Sequence, residues 1–328
     1  MFLFLILFFN LVFLFFFQKI SKYINIFDFP DDKRKIHKNK TPQLGGLIFL
    51  INIFGYLVYE MIVIKTPILE IFGFQTNLSL FIFIFSLIVL FIIGYIDDKI
   101  KLSAKPKLVL LTIIISINLL VTPQLNISFI KLSSLNSFSI GNFSFFWTFL
   151  CFLLFINAFN FFDGINLQSG GFIYLICLFF IYKNIFFDFF IVIFIANTFF
   201  LYLNYNSKIF LGNSGSLFLP FLFGSLFINS YNNTDLVADE IVVVMLIPGL
   251  DLLRLFFQRI SNKTNPLTAD NNHIHHYLIK KFSITKTTLI IQSLTWIPFF
   301  LSQYIGHISL VLITQSIIYF LIIAKYKN

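Results

Sequence analysis

Residues 77–100 read NLSLFIFIFSLIVLFIIGYIDDKI, a mostly apolar run that ends in two acids and a lysine. An α-helix of about twenty residues crosses the roughly 30 Å hydrocarbon core of a membrane. Because ten similar runs accompany this one, the sequence predicts an all-α, polytopic membrane protein of about eleven transmembrane helices. The predicted spans lie near residues 2–20, 44–64, 77–96, 107–122, 145–162, 170–186, 187–206, 215–230, 239–259, 287–305 and 306–324.

The composition agrees with a membrane protein. Hydrophobic residues make up 58% of the 328 residues and charged residues 11%, against about 25% charged residues in soluble domains. Cys151 and Cys177 both lie in apolar runs, which excludes a disulfide framework and a thiolate metal site. Since no repeat, linker or soluble domain is visible, residues 1–328 are predicted to form a single integral membrane domain without a nucleic-acid partner.

The basic residues predict the orientation. Of the 23 Lys and Arg, 20 lie in or beside five segments, and the positive-inside rule makes these segments cytoplasmic and the N-terminus external. Their charge attracts anionic membrane lipids. The segment 123–144 is predicted to form a small external hairpin with strands near 127–132 and 138–143. The five basic segments are 21–43, 97–106, 204–214, 260–286 and 325–328.

Polar motifs recur at the predicted cytoplasmic ends of the spans. Asp97 and Asp98 are adjacent carboxylates, which a bound cation would stabilise, although a solvated helix end is the alternative. Lys107 can meet an anion at a helix N-terminus or simply extend toward the membrane surface. Asn160 and Asp163 share a helix face with Asn157 and are either site residues or polar contacts between helices.

Four further polar features complete this set. The turn FLGNSGS at 210–216 opens a helix and can bind an anion or serve as an ordinary cap. The loop NNHIHH at 271–276 supplies histidines for zinc, phosphate or sugar oxygens, or is a solvated loop. Asp251 and Arg254 are predicted to pair within a span. The basic loop 28–46 ends in a glycine pair and can also anchor the chain to lipids.

Together, these motifs resemble the polyprenyl-phosphate N-acetylhexosamine-1-phosphate transferases of glycosyltransferase family 4. The resemblance extends from Asp28 to His276. The His-Ile-His-His run is more similar to the undecaprenyl-phosphate GlcNAc-1-phosphate transferase-like branch than to the peptidoglycan branch, which shows three consecutive histidines. The matching motifs are, in order, RK-x-H…P-x-x-GG, DD with a lysine ten residues later, N-x-x-N-x-x-DG, FLG-x-x-GS, P-x-x-D-x-x-R and H-x-HH.

The resemblance implies a glycosyl-1-phosphate transferase in a bacterial inner membrane, with its active site facing the cytoplasm. A UDP-HexNAc, with UDP-GlcNAc as the favoured donor, would react with undecaprenyl phosphate. UMP would leave, and the lipid-linked sugar diphosphate would begin a surface polysaccharide such as a lipopolysaccharide O-antigen. The implied cofactor is Mg²⁺, with Mn²⁺ as an alternative, because metal ions neutralise a transferring phosphoryl group. A homodimer is left open.

The resemblance also assigns roles to residues. Asp97 or Asp98 would act on the lipid phosphate as a base or through the metal, and Lys107 would bind the diphosphate. Asn160 and Asn213 occupy metal-ligand positions. The remaining assignments are uracil binding by Asn166, contacts with the diphosphate and sugar by His273, His275 and His276, organisation of the loop by Asp163, and substrate binding by Lys35 and His37.

Two departures from the family pattern leave alternatives open. Asn213 stands where the family normally has an aspartate that binds Mg²⁺. Leu167-Gln168 stands where a Gly-Leu pair is usual beside the nucleotide. The alternatives are the peptidoglycan-precursor phospho-N-acetylmuramoyl-pentapeptide transferase and a catalytically weakened relative that acts as a binding protein. A membrane carrier is disfavoured, because no inverted repeat is visible.

Overall fold

The computed structural model describes residues 2–30, 39–265 and 271–327, which form a helical protein with two short antiparallel strand pairs. Contacts divide the chain into two compact units, of which the first comprises residues 1–102 and 169–222 and the second 103–168 and 223–328. The prediction of a single domain over 1–328 stays a prediction.

The first unit contains the N-terminal helices and a second group from the middle of the chain. Within it α2 packs against α8, and α1 packs against both. A reciprocal amide pair, Asn10 with Asn52, joins α1 to α2 at 2.7 and 3.1 Å. Its elements are α1 Phe2–Ile24, β1 Phe27–Asp28, β2 Thr41–Pro42, α2 Gly45–Tyr59 with a π-helical end Glu60–Ile64, α3 Ile68–Phe72, α4 Asn77–Ile100, α7 Gln168–Tyr182, α8 Phe187–Tyr205 and the start of α9 Gly212–Asn233.

The second unit is centred on α10, which packs against α6, α12 and α13. Its elements are α5 Ala104–Val121, β3 Phe129–Leu132, β4 Leu135–Ser139, α6 Ser144–Phe162, the rest of α9, α10 Ala238–Ser261, α11 Ile274–Ile279, α12 Ile284–Tyr304 and α13 Ile308–Tyr326.

Each of the eleven predicted spans coincides with a helix, and the fold class is confirmed. The predicted division between the sixth and seventh spans is also confirmed, because α7 ends at Tyr182 and α8 begins at Phe187. Within the described ranges, seven helices are long and apolar enough to cross a membrane, so the count of eleven spans stays a prediction. The seven are Phe2–Ile24, Gly45–Ile64, Asn77–Ile100, Ala104–Val121, Gly141–Phe162, Phe187–Tyr205 and Ile308–Tyr326.

The predicted hairpin is present, but its second strand was placed too late. β3 pairs with β4 through Phe129 with Ser139 and Ile130 with Phe138. The chain reverses after Leu132, and Gly141, with a φ of +56°, begins a short 3₁₀ turn where the strand was expected to continue. Asp239 at the start of α10 accepts hydrogen bonds from the backbone and side chain of Ser133, which fastens the hairpin to α10 within the second unit.

Candidate active site

The carboxylate of Asp98 lies at the N-terminus of α9. Its Oδ1 accepts hydrogen bonds from the backbone N and the side-chain Nδ2 of Asn213, at 2.8 and 3.0 Å. Its Oδ2 accepts one from the backbone N of Ser214 at 3.1 Å. A helix N-terminus favours negative charge, because its first N–H groups lack helical partners. The turn at 210–216 therefore does bind an anion, and that anion is a carboxylate of the chain itself.

Glycines allow three segments of the first unit to meet backbone to backbone. A Cβ on Gly94 would lie 2.3 Å from the carbonyl oxygen of Asn213, and a Cβ on Gly46 would lie 2.5 Å from the backbone N of Gly215. The backbone N of Gly45 donates to the carbonyl of Phe210 at 2.9 Å. Any larger residue would separate these segments, so the glycines hold Asp98 at the start of α9.

Replacing Gly94 with alanine should destabilise the first unit by about 3 kcal/mol, because the added methyl group overlaps backbone atoms that cannot rotate away. We expect a lower melting temperature in detergent. Gly55→Ala is the matched control, since a Cβ on this α2 glycine meets no described atom within 4 Å. Equal melting temperatures for the two variants would contradict the role assigned to the glycine junction.

The neighbouring Asp97 is fixed as well. Its Oδ1 accepts the backbone N–H of Leu102 at 2.8 Å, which closes the C-terminal end of α4. Asp97 is 4% exposed and Asp98 is 8% exposed, so the solvated helix end does not describe either acid. Two buried carboxylates at consecutive positions repel each other unless donors or cations surround them. The structure supplies N–H donors to both.

The second unit holds a buried ion-pair network on α10. Arg254 Nη2 and Asp251 Oδ1 are 2.8 Å apart, as the sequence predicted for this pair. The other carboxylate oxygen of Asp251 lies 2.8 Å from Nδ1 of His273. The backbone N of Ile274 donates to Asp251 at 3.2 Å, which ties the start of α11 to α10.

The three histidines are packed against one another at α11. The rings of His273 and His275 are parallel with centroids 5.5 Å apart, and those of His275 and His276 are 4.3 Å apart. Phe161 stacks on His273 at 5.3 Å. A Cβ on Gly164 would lie 2.3 Å from Cε1 and Nε2 of His275, so the DG step after α6 provides the space for this ring.

His275 is a neutral imidazole at physiological pH. Its burial, together with the nearby rings of His276 and His273, lowers the pKa of His275 well below its ordinary value. The unfolded chain binds a proton on this side chain below about pH 6.5, and the folded chain does not. The stability that depends on His275 is therefore complete above that pH and is lost as the pH falls below it.

We expect the free energy of unfolding to decrease by about 1.4 kcal/mol for each pH unit below 6.5, through His275 alone. Melting temperatures measured in detergent at pH 7.5 and 5.5 test this expectation. His275→Gln should reduce the difference between the two values, whereas His307→Gln, at an exposed histidine, should not. The same pH difference in wild type and His275→Gln would contradict the assignment.

The loop after α6 is held by α12. Thr288 Oγ1 donates to the carbonyl of Asn166 at 3.0 Å, and Gln292 Nε2 donates to the carbonyl of Gln168 at 2.7 Å. Leu167 has a φ of +67°, a conformation that favours glycine, which explains why glycine is usual at this position in the family. Neither Thr288 nor Gln292 carried a sequence signal, because both contacts use backbone carbonyls.

Comparison with known proteins agrees with these motifs. The model of glycosyl transferase family 4 matches residues 80–231, a stretch that contains the acid pair, the loop after α6 and the turn that binds Asp98. Over this stretch the chain is similar to glycosyl transferase family 4. The histidines of α11 lie beyond the matched stretch and were found from their sequence alone.

The relatives that the chain resembles match it over most of their lengths. A probable undecaprenyl-phosphate N-acetylglucosaminyl 1-phosphate transferase of Bacillus subtilis (strain 168) is 27% identical over 93% of the chain and 84% of the relative. The undecaprenyl-phosphate alpha-N-acetylglucosaminyl 1-phosphate transferase of Escherichia coli (strain K12) is 25% identical over 87% and 78%. A decaprenyl-phosphate N-acetylglucosaminephosphotransferase of Mycolicibacterium smegmatis is 26% identical over 76% and 67%.

The family's divalent metal can be tested against the residues present. Within residues 2–30, 39–265 and 271–327, no group of three His, Cys, Asp or Glu side chains is arranged to hold a metal ion. The oxygen atoms of Asp97, Asp98 and Asn213 nevertheless match what Mg²⁺ accepts. Oδ1 of Asp98 already accepts two hydrogen bonds, whereas Oδ2 accepts one and retains an acceptor site. The donor set therefore fits Mg²⁺ in kind but lacks one charge that the family normally supplies.

The structure groups the predicted site residues into two sets. The first unit collects Asp97, Asp98 and Asn213. The second unit contains Lys107 and collects the histidines with the end of α6, where Asp163 is the C-terminal cap. Lys35 and His37 lie outside the described residues. The roles assigned to all the site residues stay predictions, namely those of Lys35, His37, Asp97, Asp98, Lys107, Asn160, Asp163, Asn166, Asn213, His273, His275 and His276.

Proposed function

We propose that the chain transfers N-acetylglucosamine-1-phosphate from UDP-GlcNAc to undecaprenyl phosphate. The observation that carries this proposal is the buried acid pair, Asp97 and Asp98, fixed by backbone N–H groups. Phosphoryl transfer between two anions needs a fixed group that accepts a proton or binds a cation. A buried carboxylate can do either. The relatives' names supply undecaprenyl phosphate and the transferred N-acetylglucosaminyl 1-phosphate group, and UDP as its carrier is part of the proposal.

In the proposed reaction, an oxygen of the lipid phosphate attacks the β-phosphorus of the UDP-sugar. The bond from that phosphorus to the bridging oxygen breaks, and UMP leaves with the oxygen. Asp98, or Asp97 beside it, takes up any proton on the attacking phosphate. Mg²⁺, when bound, neutralises charge on the diphosphate, and Asp97, Asp98 and Asn213 would hold it. Asn160 remains a predicted amide ligand.

In the second unit, His273, His275 and His276 would contact the diphosphate and the sugar, and Asn166 the uracil. Lys107 would pair with the diphosphate as a point charge. The distribution of Lys and Arg supports site residues that face the cytoplasm, and the bacterial relatives support a bacterial inner membrane. The product would begin a lipid-linked surface polysaccharide.

Asn213 supports a second candidate, a weakened relative that binds these substrates without rapid turnover. Its amide donates to Asp98, whereas the aspartate usual in the family would carry a charge at this position.

A donor screen tests the proposal. Purified protein in detergent receives Mg²⁺ or Mn²⁺, undecaprenyl phosphate and one of UDP-GlcNAc, UDP-GalNAc or UDP-N-acetylmuramoyl-pentapeptide. We expect UMP release with UDP-GlcNAc and only when the lipid is present. UMP release only when the donor is UDP-N-acetylmuramoyl-pentapeptide would favour the peptidoglycan branch. Substrate binding without UMP release from any donor would favour the second candidate.

A further inference from the structure

The hydroxyl of Tyr319, on α13, completes the buried network around Asp251. Tyr319 Oη donates to Asp251 Oδ1 at 2.8 Å and accepts a hydrogen bond from Arg254 Nε at 2.9 Å. The tyrosine side chain is fully buried. A hydroxyl group has one hydrogen to donate and lone pairs to accept with. It can therefore bridge two side chains and hold both in place.

Arg254 extends the network to the backbone of the histidine motif. Its Nη2 donates to the carbonyl of Asn272 at 2.6 Å and to Asp251 Oδ1 at 2.8 Å. Asn272 immediately precedes His273. The guanidinium therefore holds the main chain of the motif while Tyr319 holds the guanidinium. Removing the tyrosine hydroxyl would leave the Arg254 Nε without this partner and Asp251 with one donor fewer.

The network around Asp251 determines which ring nitrogen of His273 carries a proton. Surrounded by a guanidinium, a hydroxyl and a backbone N–H, the Asp251 carboxylate is ionised and can only accept hydrogen bonds. Because Asp251 Oδ2 lies 2.8 Å from Nδ1 of His273, that nitrogen carries a proton. The other ring nitrogen, Nε2, is then the atom that can accept or release a proton toward a phosphate oxygen. Phe161, stacked on the ring, limits its rotation.

We infer that Tyr319 is a positioning residue, which acts through Arg254 and Asp251 to set the tautomer and orientation of the His273 ring. This inference rests on the proposed function, because it gives His273 a proton to move during phosphoryl transfer. The same logic holds wherever a carboxylate orients a histidine whose second nitrogen does the chemistry.

The test compares Tyr319→Phe with Tyr326→Phe, a matched change on the same helix. The contacts of Tyr326 are ring contacts with Phe282 and Lys325, which phenylalanine can retain in part. For Tyr319→Phe we expect kcat to fall about tenfold, KM for UDP-GlcNAc to stay the same, and the pH profile of kcat to shift. Tyr326→Phe should match the wild type in all three.

A second readout does not need turnover. ¹⁵N-histidine NMR, with the His273 signals assigned by loss in His273→Gln, should show a protonated Nδ1 in the wild type and a mixture of tautomers in Tyr319→Phe. Arg254→Lys, which lacks the Nε donor, should change the same signals and serves if Tyr319→Phe does not fold. Unchanged His273 signals in the variant, or a rise in KM with unchanged kcat, would overturn the inference. If the wild type releases no UMP, the proposed function fails and the His273 signals alone decide the inference.

Discussion

The Asp98→Asn variant is expected to release UMP about 10³-fold more slowly than the wild type, because an amide can neither take up a proton nor carry the charge that balances a metal-bound phosphate. Some stability is lost as well. The new amide group would face an N–H donor of α9 in place of an acceptor oxygen, at a cost of about 1–3 kcal/mol. UMP release should be measured in the presence of Mg²⁺ at saturating UDP-GlcNAc and undecaprenyl phosphate.

Asp239→Asn separates the chemical effect from the structural one. Asp239 is also a buried carboxylate that accepts a backbone N–H, that of Ser133 at 3.1 Å, but it lies outside the predicted site residues. We expect this control to lose a similar amount of stability and to keep its rate of UMP release. If both variants lose activity in proportion to their melting temperatures, Asp98 has a structural role only.

Asn213→Asp should reverse the electrostatics around Asp98. The amide of Asn213 donates to Asp98 at 3.0 Å, and a carboxylate there could not donate and would repel its neighbour. In EDTA, we expect the variant to be about 2 kcal/mol less stable than the wild type. Millimolar Mg²⁺ should restore its melting temperature, since a cation between two carboxylates removes the repulsion.

Asn204→Asp is the control for this comparison. Its amide is buried in the same unit and donates to the backbone carbonyl of Ile209, at 2.8 Å, so the change removes a donor without placing two acids together. Mg²⁺ should not rescue its stability. If Mg²⁺ fails to stabilise Asn213→Asp as well, the metal-ligand position assigned to residue 213 is wrong. A gain in UMP release by Asn213→Asp would indicate a weakened site, and a loss would indicate an adapted one.

Much of the fold could be predicted from the sequence because membrane helices are encoded by long apolar runs. All eleven runs became helices, and the polar residues Lys183 and Asn184 lie at the break between α7 and α8. Some of the predicted spans are not long or apolar enough to cross a membrane, and two of them show why. α7 has 15 residues, and α10 carries Asp251, Arg254 and other charges. The sequence predicted the hairpin but not the position of its turn, since the chain can reverse at more than one position in a Ser-rich segment.

The sequence could identify the types of site residue but not their contacts. Asp98 and the turn at 210–216 were each selected, yet their pairing joins positions more than a hundred residues apart and depends on Gly94 and Gly46. The Asp251–Arg254 pair was readable from its spacing on one helix. Tyr319 was not, because a single tyrosine in an apolar helix carries no periodic or motif signal. Backbone contacts such as those of Thr288 leave no trace in residue type.

The most direct test of the proposed reaction follows the β-phosphorus. Protein in detergent is mixed with UDP-GlcNAc labelled with ³²P at the β-phosphate, undecaprenyl phosphate and Mg²⁺, and the lipid and aqueous phases are then separated. We predict that the label moves into the lipid phase together with the sugar, that an equal amount of unlabelled UMP appears, and that Asp98→Asn transfers almost none. Sugar that reaches the lipid without the ³²P label, or label that stays in water while the sugar is released, would contradict the account.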